Sequence, residues 1–278
     1  MSDLRMKWPG FLDMALTLSY DDGVTSDRKM IEILNQYGVK CTFNLNSGTF
    51  NEAEPDNLPK GQTARMSKEH VFEVYNNSGH EVAVHTLTHP WMTNLPTQEI
   101  IREVLEDRKN IEQLFSTVVR GMAYPYGITS NEIVDTLKCC GIAYARTTVS
   151  TENFNIPTDW LRMPATCHHK HPHLFDLANR FLHVPFPFPR LFYLWGHSYE
   201  FEREDNWDIL EKFCTVLGRR EDIWYATNIE VYDYVQAFQS LQFSVEMDIV
   251  HNPSALPICF SLGGKMYCVE SGATIQLR

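Results

Sequence analysis

The stretch LTLSYDDG, residues 16–23, decides the reading of this chain. An apolar, β-prone run stops abruptly at two adjacent carboxylates and a glycine. A strand that brings Asp21 and Asp22 to one edge of a sheet sets like charges side by side. Such a pair needs a counter-charge, and a metal ion is the usual one.

Outward from this stretch, short β-prone runs alternate with helical patterns. Strands are expected at 15–20, 39–45, 80–85, 118–124, 142–145, 191–196 and 223–226. Helices are expected at Asp27–Tyr37 before Gly38, at 67–77 behind Ser67, at Thr97–Phe115, and at 130–140, 206–217 and 229–241. Residues 46–66 read as an irregular insertion, and 146–190 as a long loop rich in His and Pro. Repeated strand–helix units predict an α/β fold with a parallel sheet. Seven or so strands in ~240 residues suit a barrel better than an open sheet. Asp21, Asp22, His85, Tyr126 and His197 all fall just past strand ends, where a parallel barrel gathers its reacting groups. Residues 1–241 form the expected barrel domain. Residues 242–278 alternate in polarity around Gly263-Gly264 and read as a small antiparallel β appendage packed on it.

The formal net charge is −11, which speaks against nucleic acid or an anionic membrane surface as partner. The first residues, MSDLRMKWPGFLDM, lack the basic start and apolar core of a signal peptide, and no apolar run is long enough to span a bilayer. Seven cysteines, an odd number without a regular framework, then read as reduced thiols, and the expected location is cytoplasmic.

The chemistry is read from a few short motifs. His85 and His89 stand four residues apart after a strand, a spacing at which two imidazoles converge on one ion. Alone, this spacing and the Asp-Asp-Gly turn are both ordinary structural features; together they describe a zinc-like ion held by one Asp and two His, with open positions. Of the two carboxylates, one then binds the metal while the other is free to take a proton from water. AYPYG, residues 123–127, is either a tight turn with aromatic packing or a rigid loop whose N–H meets an oxyanion. LWGH, residues 194–197, sets a histidine after a late strand, structural or a general acid.

These motifs resemble those of the polysaccharide deacetylases (carbohydrate esterase family four), in the same order. The family's T-F-D-D-G is similar to Ser19-Tyr20-Asp21-Asp22-Gly23, its H-[ST]-x-x-H matches His85-Thr86-Leu87-Thr88-His89, its R-x-P-Y resembles Ala123-Tyr124-Pro125-Tyr126, and its L-x-x-H matches Leu194-Trp195-Gly196-His197. The resemblance implies a distorted (β/α)7-type barrel. It implies one divalent ion, zinc first and Co, Ni, Mn or Fe after it, on Asp22, His85 and His89. It makes Asp21 the base, the Tyr126 N–H part of the oxyanion hole, and His197 the acid. The implied activity is removal of an acetyl group, N-acetyl more than O-acetyl, from a sugar or small glycan.

Two departures stand out. The family arginine that orients the base aligns with Ala123, so a replacement is expected from Arg162, ahead of Arg146 and Arg120. The D-x-x-D-W motif survives only as Asp159-Trp160. The run from Cys167 to His173 either binds a second metal or flanks the cleft, and the second reading puts His168 and His169 on substrate, beside Tyr124 and Trp195. Trp91, Trp160 and the aromatics of residues 184–189 either stack on a sugar or pack on the barrel. Two rival functions remain: a cyclic amide or imide hydrolase of the allantoinase kind, acting on a small amide, and a non-catalytic carbohydrate-binding protein.

Overall fold

In the computed structural model, which describes residues 3–52, 58–186 and 189–277, the chain begins with β1 (Leu4–Lys7) and β2 (Met14–Asp21), the latter buried along its whole length. Burial on both faces is the mark of a central strand in a parallel sheet. Helix α1 (Asp27–Tyr37) buries Met30, Ile31, Ile33 and Leu34 and stops at Gly38, whose φ of 66° forms a left-handed cap. Then come β3 (Cys41–Leu45), α2 (Lys68–Tyr75) with Ser67 accepting from the His70 N–H, and β4 (Glu81–Val84). They are followed by α3 (Thr97–Phe115), β5 (Gly121–Ala123), α4 (Asn131–Cys139) and β6 (Tyr144–Ser150). The next elements are β7 (Met163–Ala165), β8 (Cys167–His168), α5 (Leu174–His183), β9 (Arg190–Gly196), α6 (Ser198–Glu204), α7 (Asp208–Leu217), β10 (Ile223–Tyr225) and α8 (Asn228–Gln239).

The main sheet is wholly parallel, in the order β7-β6-β5-β4-β3-β2-β9-β8, with β10 on the first half of β2. Only Thr166 separates β7 from β8. One stretch therefore pairs with β6 at its start and β9 at its end, and closes the sheet into the expected distorted barrel. Leu16, Leu18 and Tyr20 on β2 pack beneath the surrounding helices, while Ala15 joins Tyr144, Met163, Leu191, Tyr193 and Trp195 in a second, inner cluster. This is the period-two alternation of a strand.

The barrel interior is polar at one end, where α8 closes it. Asn228 accepts from Thr17 Oγ1 at 2.8 Å, donates to the Tyr193 hydroxyl at 2.6 Å, and gives its backbone N–H to Thr42 Oγ1 at 3.0 Å. Glu81 lies beside it and accepts from Thr42 at 2.7 Å, Tyr144 at 2.8 Å and the Ile229 N–H at 3.0 Å. Satisfied in this way, the buried groups avoid the penalty of about 1–3 kcal/mol that each would carry unpaired.

Three differences from the sequence reading have physical causes. β6 runs through Arg146 to Ser150 instead of ending at 145, because the charge that reads as a strand end finds a buried partner inside the barrel. Helix α5, with Leu174, Leu177, Ala178 and Phe181 buried at helical spacing, lies within the stretch expected to be loop. The tail forms β11 (Gln242–Phe243), β12 (Ile249–His251), β13 (Ile258–Leu262), β14 (Lys265–Val269) and β15 (Thr274–Gln276). Gly263 and Gly264, at φ 57° and 83°, make the expected hairpin turn. The 242–278 unit is not built from the tail alone, since β1 covers the open edge of β13 in a β1-β13-β14 sheet. The Tyr234 hydroxyl on α8 fastens this sheet, donating to Lys7 O at 2.8 Å and accepting from the Cys259 N–H at 3.0 Å. Pro187 and Phe188 of the proline-rich run lie outside the described residues. Among the described residues no helix is long and apolar enough to cross a membrane.

Burial pushes the Glu81 carboxyl up to about 7, against the pull of its three donors. A raised carboxyl means that the folded state holds the proton more tightly. Its stabilisation is full below the ordinary value of 4.5 and is lost as pH rises through 7. Glu81→Gln keeps an oxygen for Thr42 and Ile229 and an amide for Tyr144, and it does not titrate. Urea unfolding should show Glu81→Gln gaining on the wild type between about pH 5 and about pH 8. A difference constant with pH would mean that Glu81 is ionised in both states.

Candidate active site

Asp21 is the last residue of β2, on the inward side of its alternation. Asn44 Nδ2 on β3 donates at 2.8 Å both to Ser19 Oγ and to Asp21 Oδ1. The next residue leaves the strand: Asp22 takes φ 92°, which turns its carboxylate away from that of Asp21. Asp22, His85 and His89 each bring one ligand atom to a common point, all within 4.8 Å of one another. His85 Nδ1 lies 2.8 Å from Ala123 O, and a carbonyl only accepts, so Nδ1 carries the proton and the Nε2 lone pair is left for a metal. Burial lowers the pKa of both imidazoles, that of His85 to about 4, and keeps His85 neutral as a ligand must be. One carboxylate and two neutral imidazoles suit a zinc-like ion.

The loop that carries the two histidines is held from α3. The Asp107 carboxylate accepts the Ser47 N–H at 2.7 Å and the His85 N–H at 3.1 Å. Glu103 accepts the Thr88 N–H at 2.8 Å and its hydroxyl at 3.0 Å. Four non-glycine residues here have left-handed φ: Asp22, Thr86 at 67°, His89 at 59° and Tyr126 at 59°. Each costs on the order of 1–3 kcal/mol, and such strain persists only where surrounding contacts overdetermine it.

Arg146, wholly buried, pairs with Asp21 Oδ2. Its guanidinium also lies 4.4 Å from the centre of the Trp195 ring. Burial alone would raise the Asp21 pKa; Arg146, with His85 and His197 behind it, outweighs burial and brings it to about 2. The expected Arg162 is elsewhere. It donates to Asp159 at 3.0 Å and Asn131 at 2.6 Å, because the three-residue helical turn at Trp160–Arg162 aims it at α4. Arg120 pairs with Asp233 at 2.6 Å.

His197 follows β9 and places Nε2 3.9 Å from Asp21 Oδ2. Its Nδ1 is 3.3 Å from Glu200 Oε2, and Lys170 Nζ and His168 Nε2 reach the same carboxylate at 2.9 Å and 3.1 Å. Burial lowers the His197 pKa, but Glu200, Asp21 and Asp22 more than offset it, and the net shift is upward.

Three expected substrate contacts are corrected. His169 is 2% exposed, its ring between Phe201 at 4.1 Å and Tyr20 at 5.7 Å, and a methyl group on Gly196 would sit 2.0 Å from its Nδ1. Tyr124 is 1% exposed with its hydroxyl committed to Leu161 O at 2.7 Å. Trp195 is a buried wall against Arg146 and His168. His168 remains half-buried near the cleft. Trp160 packs edge-on against Tyr232. The exposed aromatics at the site are instead Trp91 and Tyr126, stacked at 4.0 Å, with Tyr126 4.6 Å from the His89 ring.

The sequence reading missed Arg65, which donates to Asp22 Oδ1 at 3.0 Å, and also Asn44, Glu103, Asp107 and Glu200. Two of these left a signal. Glu103 and Asp107 fall on the apolar stripe of α3 among Ile100, Val104 and Ile111, where a solvated acid would not stand.

Arg146→Met leaves Asp21 buried without its counter-charge, and should cost about 3–5 kcal/mol in urea unfolding. Arg146→Lys should recover part of this. Arg162→Ala breaks a partly exposed pair and should cost about 1 kcal/mol or less. Equal losses at positions 146 and 162 would contradict the pairing.

A family model described as polysaccharide deacetylase matches residues 12–145. A chitooligosaccharide deacetylase of Bradyrhizobium sp. (strain ANU 289) is 31% identical over 150 residues, which are 52% of this chain and 58% of that protein. The likeness thus spans less than two thirds of that relative. Among solved structures, a Mycobacterium smegmatis protein described as a candidate polysaccharide deacetylase aligns at TM-score 0.63 and 14% identity, over 84% of this chain and 94% of the other. The Xyl-CE4 domain of a multidomain xylanase from the hindgut metagenome of Trinervitermes trinervoides aligns at TM-score 0.54 and 19% identity, over 81% and 92%. At such identities these two speak for the barrel fold alone. The family match runs from the start of β2 to the start of β6 and takes in the turns that carry Asp21, Asp22, His85, His89 and Tyr126, so that over just under half of its length the chain is similar to the polysaccharide deacetylases.

Proposed function

We propose that this chain is a metal-dependent hydrolase that removes the acetyl group from an N-acetylated sugar or small glycan. The observation that carries the reading is the convergence of Asp22, His85 and His89 beside a buried, ionised Asp21. A divalent ion held by those three residues, zinc first and Co, Ni, Mn or Fe after it, would polarise the acyl carbonyl and make the attacking water acidic enough for so weak a base as Asp21.

The chain's own groups do the rest. Asn44 and Arg146 fix the Asp21 carboxylate, which takes the proton of the attacking water. The Tyr126 backbone N–H donates to the oxygen on which negative charge develops. His197 Nε2 gives its proton to the departing amine nitrogen as the C–N bond breaks, and acetate is released. Trp91 and Tyr126 offer the sugar a stacking surface at the mouth of the site. The likeness to a chitooligosaccharide deacetylase supports an acetylated saccharide as substrate. Arg146 beside Asp21 supplies the guanidinium that the motif lacks at Ala123, which supports the deacetylase reading over the cyclic amide one.

Acetate release should be measured with zinc-loaded protein on a panel of N- and O-acetylated sugars, beside a chelated control. Chelation should abolish release. His85→Ala and His89→Ala should lose metal and turnover together. Asp21→Asn should retain its metal and lose about 10²–10⁴-fold in kcat. A metal-loaded protein that releases acetate from no member of the panel would rule out the deacetylase reading.

A further inference from the structure

A second group of ligand-type side chains stands behind His197. His168, His169 and Glu200 bring their nitrogen and oxygen atoms within 4.8 Å of one another, as the triad at Asp22 does. The distances alone would suit a second metal centre. The proton positions do not. The Lys170 backbone N–H donates to His168 Nδ1 at 3.1 Å, so Nδ1 is bare and the neutral ring carries its proton on Nε2. That Nε2 lies 3.1 Å from Glu200 Oε2, a donor facing a carboxylate. To ligate a cation there, His168 would have to move the proton to Nδ1 and give up the Lys170 contact. Lys170 Nζ, 2.9 Å from Glu200 Oε1, adds a fixed positive charge where a divalent ion would sit. His169 is clasped between Tyr20 and Phe201 above Gly196, which accounts for its place by packing.

What the group does is converge on one carboxylate. Glu200 sits one helical turn after His197, on α6, and meets its Nδ1 at 3.3 Å. A carboxylate only accepts, so Nδ1 carries a proton and Nε2 is the atom left to face the Asp21 side of the cleft. We propose that Glu200 is a positioning residue for His197, held in place by His168 and Lys170, and that it fixes the ring orientation and the charge with which His197 delivers its proton. This rests on the reading of His197 as the acid of a deacetylase. The family's second aspartate motif is broken in this chain, and the Asp159 that survives of it pairs with Arg162. Glu200 comes from a different element and reaches the imidazole from its own helix. Besides Glu200, the titratable groups that face His197 are Asp21 at 3.9 Å, Asp22, Tyr199 with ring centres 5.0 Å apart, His168 at 6.3 Å and the buried His169.

A purely structural alternative exists, because Glu200 Oε2 also accepts the His197 N–H at 3.3 Å and helps to cap α6. Glu200→Gln separates the two roles. The glutamine oxygen at the Oε2 position still accepts from His197 and caps the helix; the amide gives up the Lys170 contact, Lys170 keeps Glu204, and the charge behind His197 is lost. In the zinc-loaded protein, Glu200→Gln should bind one metal per chain like the wild type, keep KM within about twofold and lose at least tenfold in kcat, while Glu200→Asp recovers part of that loss. The proton NMR spectrum of the metal-free protein gives a second readout that needs no substrate. The wild type should show a downfield Nδ1 proton from His197, absent in His197→Ala and shifted upfield in Glu200→Gln. If the wild type released no acetate, this signal would still test the pairing. An unchanged kcat in Glu200→Gln, an unshifted signal, or a second equivalent of zinc lost on His168→Ala would each overturn the proposal.

Discussion

Asp21 and Arg146 are both buried, on strands far apart in sequence, and neither charge can exist there without the other. Moving a lone ion of this kind out of water costs several kcal/mol. The pair therefore fixes more than one carboxylate. It requires β6 to carry a charge in mid-strand, and it requires a barrel interior that is polar around Asp21. Trp195 stacks under the guanidinium and Asn44 fills the other carboxylate oxygen. Seen this way, the buried salt bridge sets the register between the first and fifth strands of the barrel rather than adding much stability of its own.

The same design recurs at each side chain of the candidate site: an element other than its own supplies the restraint. α3 holds the His85–His89 turn through Asp107 and Glu103. β5 holds the His85 ring through the Ala123 carbonyl. Backbone strain gathers where these restraints are densest, at Asp22, Thr86, His89 and Tyr126. With Thr86 and His89 both in the left-handed region, the His85–His89 turn would relax if left to itself, so the buried acids of α3 are the physical reason that the histidines converge.

Much of this was legible in the sequence because it is local. Strand ends, helix stripes, the Gly38 cap and the Gly263-Gly264 hairpin depend on neighbours a few residues apart. The convergence of Asp22, His85 and His89 was legible because each sits in a short motif. What failed was long-range. Arg146 reads as the end of a strand until Asp21 is known to face it across the barrel, and Arg162, close to a tryptophan motif, looked the better partner. His169, Tyr124 and Trp195 carry chemistry suited to a substrate, and only packing reveals that they are walls. The join of β1 to β13 has no local signal at all.

That join bears on how the chain assembles. Leu4 pairs with Leu262, so β1 finds its partner only after the whole barrel between them has been made. Closing a loop of that length from an open coil costs about 5 kcal/mol in chain entropy. The cost falls once the barrel exists, because the wholly buried Trp8 is then seated against Trp224 and Tyr234 and Lys7 lies beside the Tyr234 hydroxyl. β1 is thus held as a latch, seated against the barrel through Trp8 and Lys7 and covered by β13 of the tail.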